Sequence, residues 1–117
     1  MSGARLLIVD DEPVLADLLK RYLERLGYEV DTCNSAEQAL PLFAARPDRY
    51  SLVLADLTLP GMNGEEMIDR MLAQNTELKA IVSSGYPHQP RSKQVGFLQK
   101  PFVPKMLADL IEKKLRP

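Results

Sequence analysis

The strongest constraint on this chain is an alternation. Short, wholly apolar runs such as Leu6-Leu7-Ile8-Val9 and Leu52-Val53-Leu54-Ala55 are separated by longer segments whose apolar residues recur at three-and-four spacing. The runs are too short to span a bilayer, and without polar alternation they read as strands buried on both faces. On this reading strands cover residues 5–10, 29–33, 51–55, 79–83 and 96–99.

Helices fill the intervals. The first starts at Pro13, which suits a first turn, carries Val14, Leu15, Leu18, Leu19, Tyr22, Leu23 and Leu26 as its apolar face, and stops at Gly27. Ser35 and Gln38 have capping-box spacing ahead of Ala36, Ala39, Leu40 and Phe43, and Pro41 is expected to bend that helix rather than end it. Residues 65–74 turn Met67, Ile68, Met71 and Leu72 inward, and Pro104 opens a last helix with Leu107, Leu110, Ile111 and Leu115. Strand-helix alternation of this kind implies an α/β fold, a parallel sheet covered on both faces. At 117 residues one domain over residues 1–117 is expected, because half-length pieces would be too small for separate cores.

Composition removes several function classes. Lys and Arg number 15 against 16 Asp and Glu, so no basic field exists to hold a nucleic acid. A single Cys33 and a single His88 make neither an internal disulfide nor a Cys/His zinc site. The stretch Met1-Ser2-Gly3-Ala4-Arg5 has no signal-peptide character and no run reaches membrane-spanning length, so a cytoplasmic location without membrane contact is expected.

The polar residues then fall into place. In a parallel sheet with right-handed crossovers all carboxyl ends of strands lie along one edge, where ligands bind. That edge receives Asp10 and Asp11 from the first strand, Asp56 from the third, Ser84 from the fourth and Lys100 from the fifth. In the doubly wound order 2-1-3-4-5 the first and third strands are neighbours, so three carboxylates converge. Acids this close repel strongly, so either their pKa values rise or a cation joins them; Mg²⁺, an oxygen-seeking ion held by one or two carboxylates and a phosphate, is the economical solution for so sparse a set. Lys100 and Ser84 add a fixed positive charge and a hydroxyl donor suited to a phosphoryl group. Asp56, central to the edge, is the candidate nucleophile. Singly, each residue has a plainer role: Asp10-Asp11 as a helix cap, Asp56 as a turn former, Lys100 as a surface lysine.

Four segments carry a family likeness: Leu7-Ile8-Val9-Asp10-Asp11-Glu12, Asp56-Leu57-Thr58-Leu59-Pro60-Gly61-Met62-Asn63-Gly64, Ser83-Ser84-Gly85-Tyr86 and Phe97-Leu98-Gln99-Lys100-Pro101-Phe102. In order and spacing they resemble the receiver domain of bacterial two-component response regulators, most of all receivers of hybrid sensor histidine kinases. The resemblance implies a flavodoxin-like, five-stranded sheet and a phosphorelay switch. Asp56 would take a phosphoryl group from a phosphohistidine on a sensor kinase or histidine phosphotransfer protein. Mg²⁺ would be bound by Asp11, Asp56 and the Thr58 main-chain carbonyl, with Asp10 acting through water. Lys100 would contact the phosphoryl oxygens, and the Lys100-Pro101 bond would be cis. Ser84 and Phe97 would form the switch, Phe97 having a plain core aromatic as its alternative. Thr58 and Tyr86 would tune the aspartyl-phosphate lifetime. The implied role is regulatory, catalysing only the domain's own phosphorylation and dephosphorylation.

One region departs from the pattern. The stretch between Ser84 and Lys100 leaves roughly ten residues for a crossover that normally needs at least ten to twelve with its helix. The fourth helix is therefore expected to be short or missing, with an irregular, mobile loop favoured over a stunted helix in residues 86–95, where Pro87, Pro90, Gln89, Arg91, Ser92, Lys93 and Gln94 offer almost no apolar face. The usual receiver dimerisation face would be reduced, so a monomer with weak or absent dimerisation there is expected. Three other classes share parts of the pattern. A haloacid-dehalogenase-like phosphatase needs Asp-x-Asp, whereas Asp10 is followed directly by Asp11. A flavin electron carrier needs a phosphate-binding loop where this chain has three acids. A receiver-like binding module that works without phosphorylation is opposed by the intact acidic set but not by the shortened crossover.

Overall fold

The computed structural model describes residues 3–116. Five strands, β1 (Arg5–Val9), β2 (Glu29–Cys33), β3 (Leu52–Asp56), β4 (Lys79–Ser84) and β5 (Val95–Gln99), alternate with four helices, α1 (Pro13–Arg25), α2 (Ala36–Ala45), α3 (Gly64–Gln74) and α4 (Pro104–Leu115). The sheet is parallel throughout in the order β2-β1-β3-β4-β5, as expected. No helix of the described residues is long and apolar enough to cross a membrane.

Period-two alternation sorts each aliphatic run between two cores. Leu7 and Val9 of β1 and Val53 and Ala55 of β3 face Ala39, Phe43, Met67 and Met71 of α2 and α3. Leu6, Ile8, Leu52 and Leu54 face Leu19 and Leu23 of α1 and Leu107 and Ile111 of α4. A strand buried on both sides has no polar position to spare, which is why these runs are continuous.

Local signals work largely as read. Ser35 Oγ accepts the Gln38 N–H at 3.1 Å, and Gln38 reaches back to the Asn34 N–H at 3.0 Å; α2 runs on through Pro41. At their carboxyl ends β3 and β4 run one residue further than expected, Asp56 pairing with Ser83 and Ser84 with Gln99, so both site residues are held by the ladder itself; β5 starts one residue early, at Val95, and β1 stops at Val9, one short of Asp10. The α1 reading needs correction. Leu19 and Leu23 are buried, but Val14 is 83%, Leu18 53% and Leu26 50% exposed, because seven apolar positions form a stripe wider than the sheet can cover.

The crossover from β4 to β5, residues 85–94, contains no helix. The fourth helix in chain order is the C-terminal one, α4. From α4 the Lys114 side chain reaches back, its Nζ donating to the Gln94 carbonyl at 3.1 Å. Its stem lies against β5, where a Cβ on Gly96 would stand 2.6 Å from the Lys114 Cε.

Candidate functional site

The carboxyl edge collects the expected residues. Asp10, Asp11 and Asp56 each offer an oxygen within 4.8 Å of the others. Asp10 and Asp56 are buried, at 3% and 5% exposure, while Asp11 faces solvent. Lys100 Nζ lies 3.1 Å from Asp10 Oδ2, 3.2 Å from Asp56 Oδ2 and 3.1 Å from Glu12 Oε1.

Each buried acid is also fixed by the backbone. Asp10 Oδ1 accepts the Glu12 N–H at 2.9 Å. Asp56 Oδ1 accepts both the N–H and the hydroxyl of Thr58 at 3.1 Å. These are charge-assisted bonds that set each carboxylate plane. The helix-cap alternative for the acidic pair is not what forms: Glu12 is the N-cap residue of α1 and its side chain caps nothing, turning to Lys100 instead. Glu12 is thus a site contact that sequence reasoning missed; its place directly after the two aspartates was the available signal.

The electrostatics follow from this packing. Burial pushes the Asp10 carboxyl above its ordinary value, with the Glu12 N–H and the Lys100 ammonium offsetting it only in part. For Lys100 burial acts in the other direction, but the Asp10 bond and charge, then Glu12 and Asp56, outweigh it and hold the ammonium firmly protonated. An all-oxygen donor set with one exposed and two buried carboxylates fits a hard divalent cation.

Gly64 explains how the loop after β3 closes. A Cβ there would run into the Asp56 carbonyl oxygen and stand 3.0 Å from its carbon, so only glycine lets α3 start against the strand that carries Asp56. The Lys100-Pro101 bond is cis, as expected. Ser84 is buried, and its Oγ accepts the Tyr86 N–H at 3.0 Å. The Tyr86 ring is 75% exposed. Phe97 is half-buried, packed against the core that contains Val82.

A second group of polar residues lies beside this edge. Glu65, buried in the first turn of α3, accepts the Arg91 N–H at 2.9 Å and stands 3.1 Å from His88 Nε2. The His88 ring tilts against Phe97 with centroids 6.2 Å apart. No spacing rule pairs residue 88 with residue 65, so this meeting has no signature in the sequence.

A comparison of the chain with protein families finds the response regulator receiver domain over residues 6–112. The chain belongs to that family. Receiver domains act in two-component phosphorelay signalling, and this one carries the family's sheet order and its acidic edge. It is 37% identical to the two-component response regulator ARR14 of Arabidopsis thaliana over 83 residues, 71% of the chain but only 22% of that regulator. The receiver domain from the hybrid histidine kinase CckA superposes with a TM-score of 0.88 at 27% identity, covering 97% of this chain and all of that one, 100%. The response regulator TrrA of Thermotoga maritima, solved with Mg²⁺ and BeF, is 31% identical with a TM-score of 0.82 over 96% of this receiver and 99% of TrrA; TrrA has also been solved in complex with the histidine kinase ThkA.

Proposed function

We propose that this receiver accepts a phosphoryl group on Asp56 from a phosphohistidine of a histidine kinase or phosphotransfer protein and changes conformation in response. The observation that carries the reading is the convergence of Asp10, Asp11 and Asp56 around Lys100 on one edge of the sheet. Thr58 holds Asp56 Oδ1 by two hydrogen bonds, which orients the carboxylate for in-line attack. An Asp56 oxygen forms the new bond to phosphorus as the bond from phosphorus to the imidazole nitrogen breaks, and the freed imidazole stays with the donor. Lys100 meets the charge of the transferred phosphoryl oxygens.

Asp11, Asp56 and the Thr58 main-chain carbonyl would hold Mg²⁺, with Asp10 acting through water. When bound, the ion neutralises phosphoryl and carboxylate charge. The TrrA structure with Mg²⁺ and BeF supports this choice of ion. Ser84 Oγ, now engaged with the Tyr86 N–H, turns to the phosphoryl group, and Phe97 follows it inward. Thr58, bonded to Asp56, and Tyr86 tune how long the aspartyl phosphate lasts. The domain is a regulatory acceptor, catalysing only its own phosphorylation and dephosphorylation.

The donor has to cover the acidic edge. Val14 and Leu18 in the N-terminal half of α1, with Val103 and Met106 at the start of α4, are more than half exposed, and both helices begin at that edge. This apolar rim suits a donor whose phosphohistidine projects from a helix face.

Intact mass after incubation with acetyl phosphate and Mg²⁺ tests the reading. Wild type gains one phosphoryl group and Asp56→Asn gains none. An unmodified wild type, or a modified variant, overturns the assignment.

A further inference from the structure

The loop that replaces a helix between β4 and β5 is not loosely attached. The Glu65 carboxylate, only 10% exposed, takes the Arg91 N–H at 2.9 Å and the His88 Nε2 at 3.1 Å. Arg91 Nη2 bonds Asp69 of α3 at 2.6 Å, and Gln94 Nε2 donates to the Thr76 carbonyl at 2.8 Å. His88 in turn rests on Phe97 at a ring angle of 58°. A buried carboxylate without partners would be expensive, so Glu65 determines where the loop lies, and the loop determines what stands beside Phe97.

Phe97 pairs with Val82, and Ser84 lies two residues further along β4 on the same face. Any movement of Phe97 toward Ser84 either leaves the His88 ring behind or draws it off Glu65. Both remove a contact that exists only in the present arrangement. A contact confined to one of two conformations opposes the other by its whole free energy.

We propose that Glu65 and His88 are positioning residues of the switch, anchoring the helix-less β4–β5 segment and holding Phe97 in the unphosphorylated arrangement. This rests on the reading of Asp56 as phosphoacceptor with Ser84 and Phe97 as its switch. The device takes the place of packing by a missing helix: one carboxylate on α3 gathers a backbone N–H and the His88 side chain from a segment with almost no apolar residues to bury.

The test uses beryllofluoride with Mg²⁺ as the phosphoryl stand-in, titrated by NMR on the Phe97 ring resonances. In His88→Ala, and in the volume-conserving Glu65→Gln, the apparent affinity tightens by about threefold to tenfold. The free variants' Phe97 resonances also move toward the positions seen in bound wild type. Arg91→Ala, whose side chain is 67% exposed, removes one tether without opening the core and shifts the affinity in the same direction. Affinity unchanged or weakened in the folded variants overturns the proposal, even if their melting temperatures fall, because a merely structural role would lower stability alone. A wild type that shows no response to beryllofluoride fails at the earlier step, the phosphoacceptor reading, and is thereby distinguished from failure of the clamp.

Discussion

At the scale of single residues, the acidic edge is held together against its own repulsion. Asp10 is buried with its carboxyl raised above the ordinary 3.8, so it opposes folding increasingly as the pH rises above 3.8 and fully above the raised value. Removing the charge relieves the strain. Asp10→Asn is expected to melt about 3–6 °C above wild type in the absence of divalent cation. Added Mg²⁺ then separates the two proteins: a ligand bound only to the folded state stabilises by about 2.7 kcal/mol at a hundredfold excess over its Kd, and the variant gains much less of this than wild type. Thermal melts with and without Mg²⁺ measure both effects, and a variant that melts lower than wild type without the ion contradicts the account. The charges at this edge were legible in the sequence because each ends an aliphatic run, and runs of that kind have few ways to align. Glu65 and His88 were not, since their meeting depends on the path of a loop with no periodicity to read.

At the scale of elements, the amino-terminal half of the sheet is cross-braced by polar side chains. Arg5 of β1 pairs with Glu29 and Asp31 of β2, and the buried Tyr50, just before β3, donates its hydroxyl to Asp31 at 2.6 Å. Burial raises the Asp31 carboxyl, but the Tyr50 bond and Arg5 outweigh it, so it lies below its ordinary 3.8. An acid lowered in this way stabilises the fold at pH values above 3.8 and loses that contribution as the pH falls through its folded value. Asp31→Asn should cost about 1–2 kcal/mol at neutral pH, with the gap from wild type closing in strong acid. Urea unfolding across that range checks it; a gap that widens on acidification is the contrary result. Elements themselves were readable from pattern and caps, as with Ser35 and Gln38. The inward face of α1 was not, because apolar residues left exposed on a helix, such as Val14 and Leu18, and those that fill a core share the same helical spacing.

At the scale of the whole molecule, the shortened crossover decides which surface is available. A receiver that lacks the helix after β4 offers less apolar area on that side, so phosphorylation is expected to leave it monomeric. Sedimentation with and without beryllofluoride should give one monomeric species; a beryllofluoride-dependent dimer abolished by mutation of α4 contradicts this. The shortage of residues between Ser84 and Lys100 was visible in the sequence from arithmetic alone, whereas the anchoring of what remains was not.

The sheet's two margins complete the picture. β2 and β5 are five residues long; the first carries Glu29 and Asp31, and the second has Lys114 drawn along it at Gly96. Short, charged borders are poor templates for added strands. The backbone at these margins thus offers a passing chain little purchase for polymerisation.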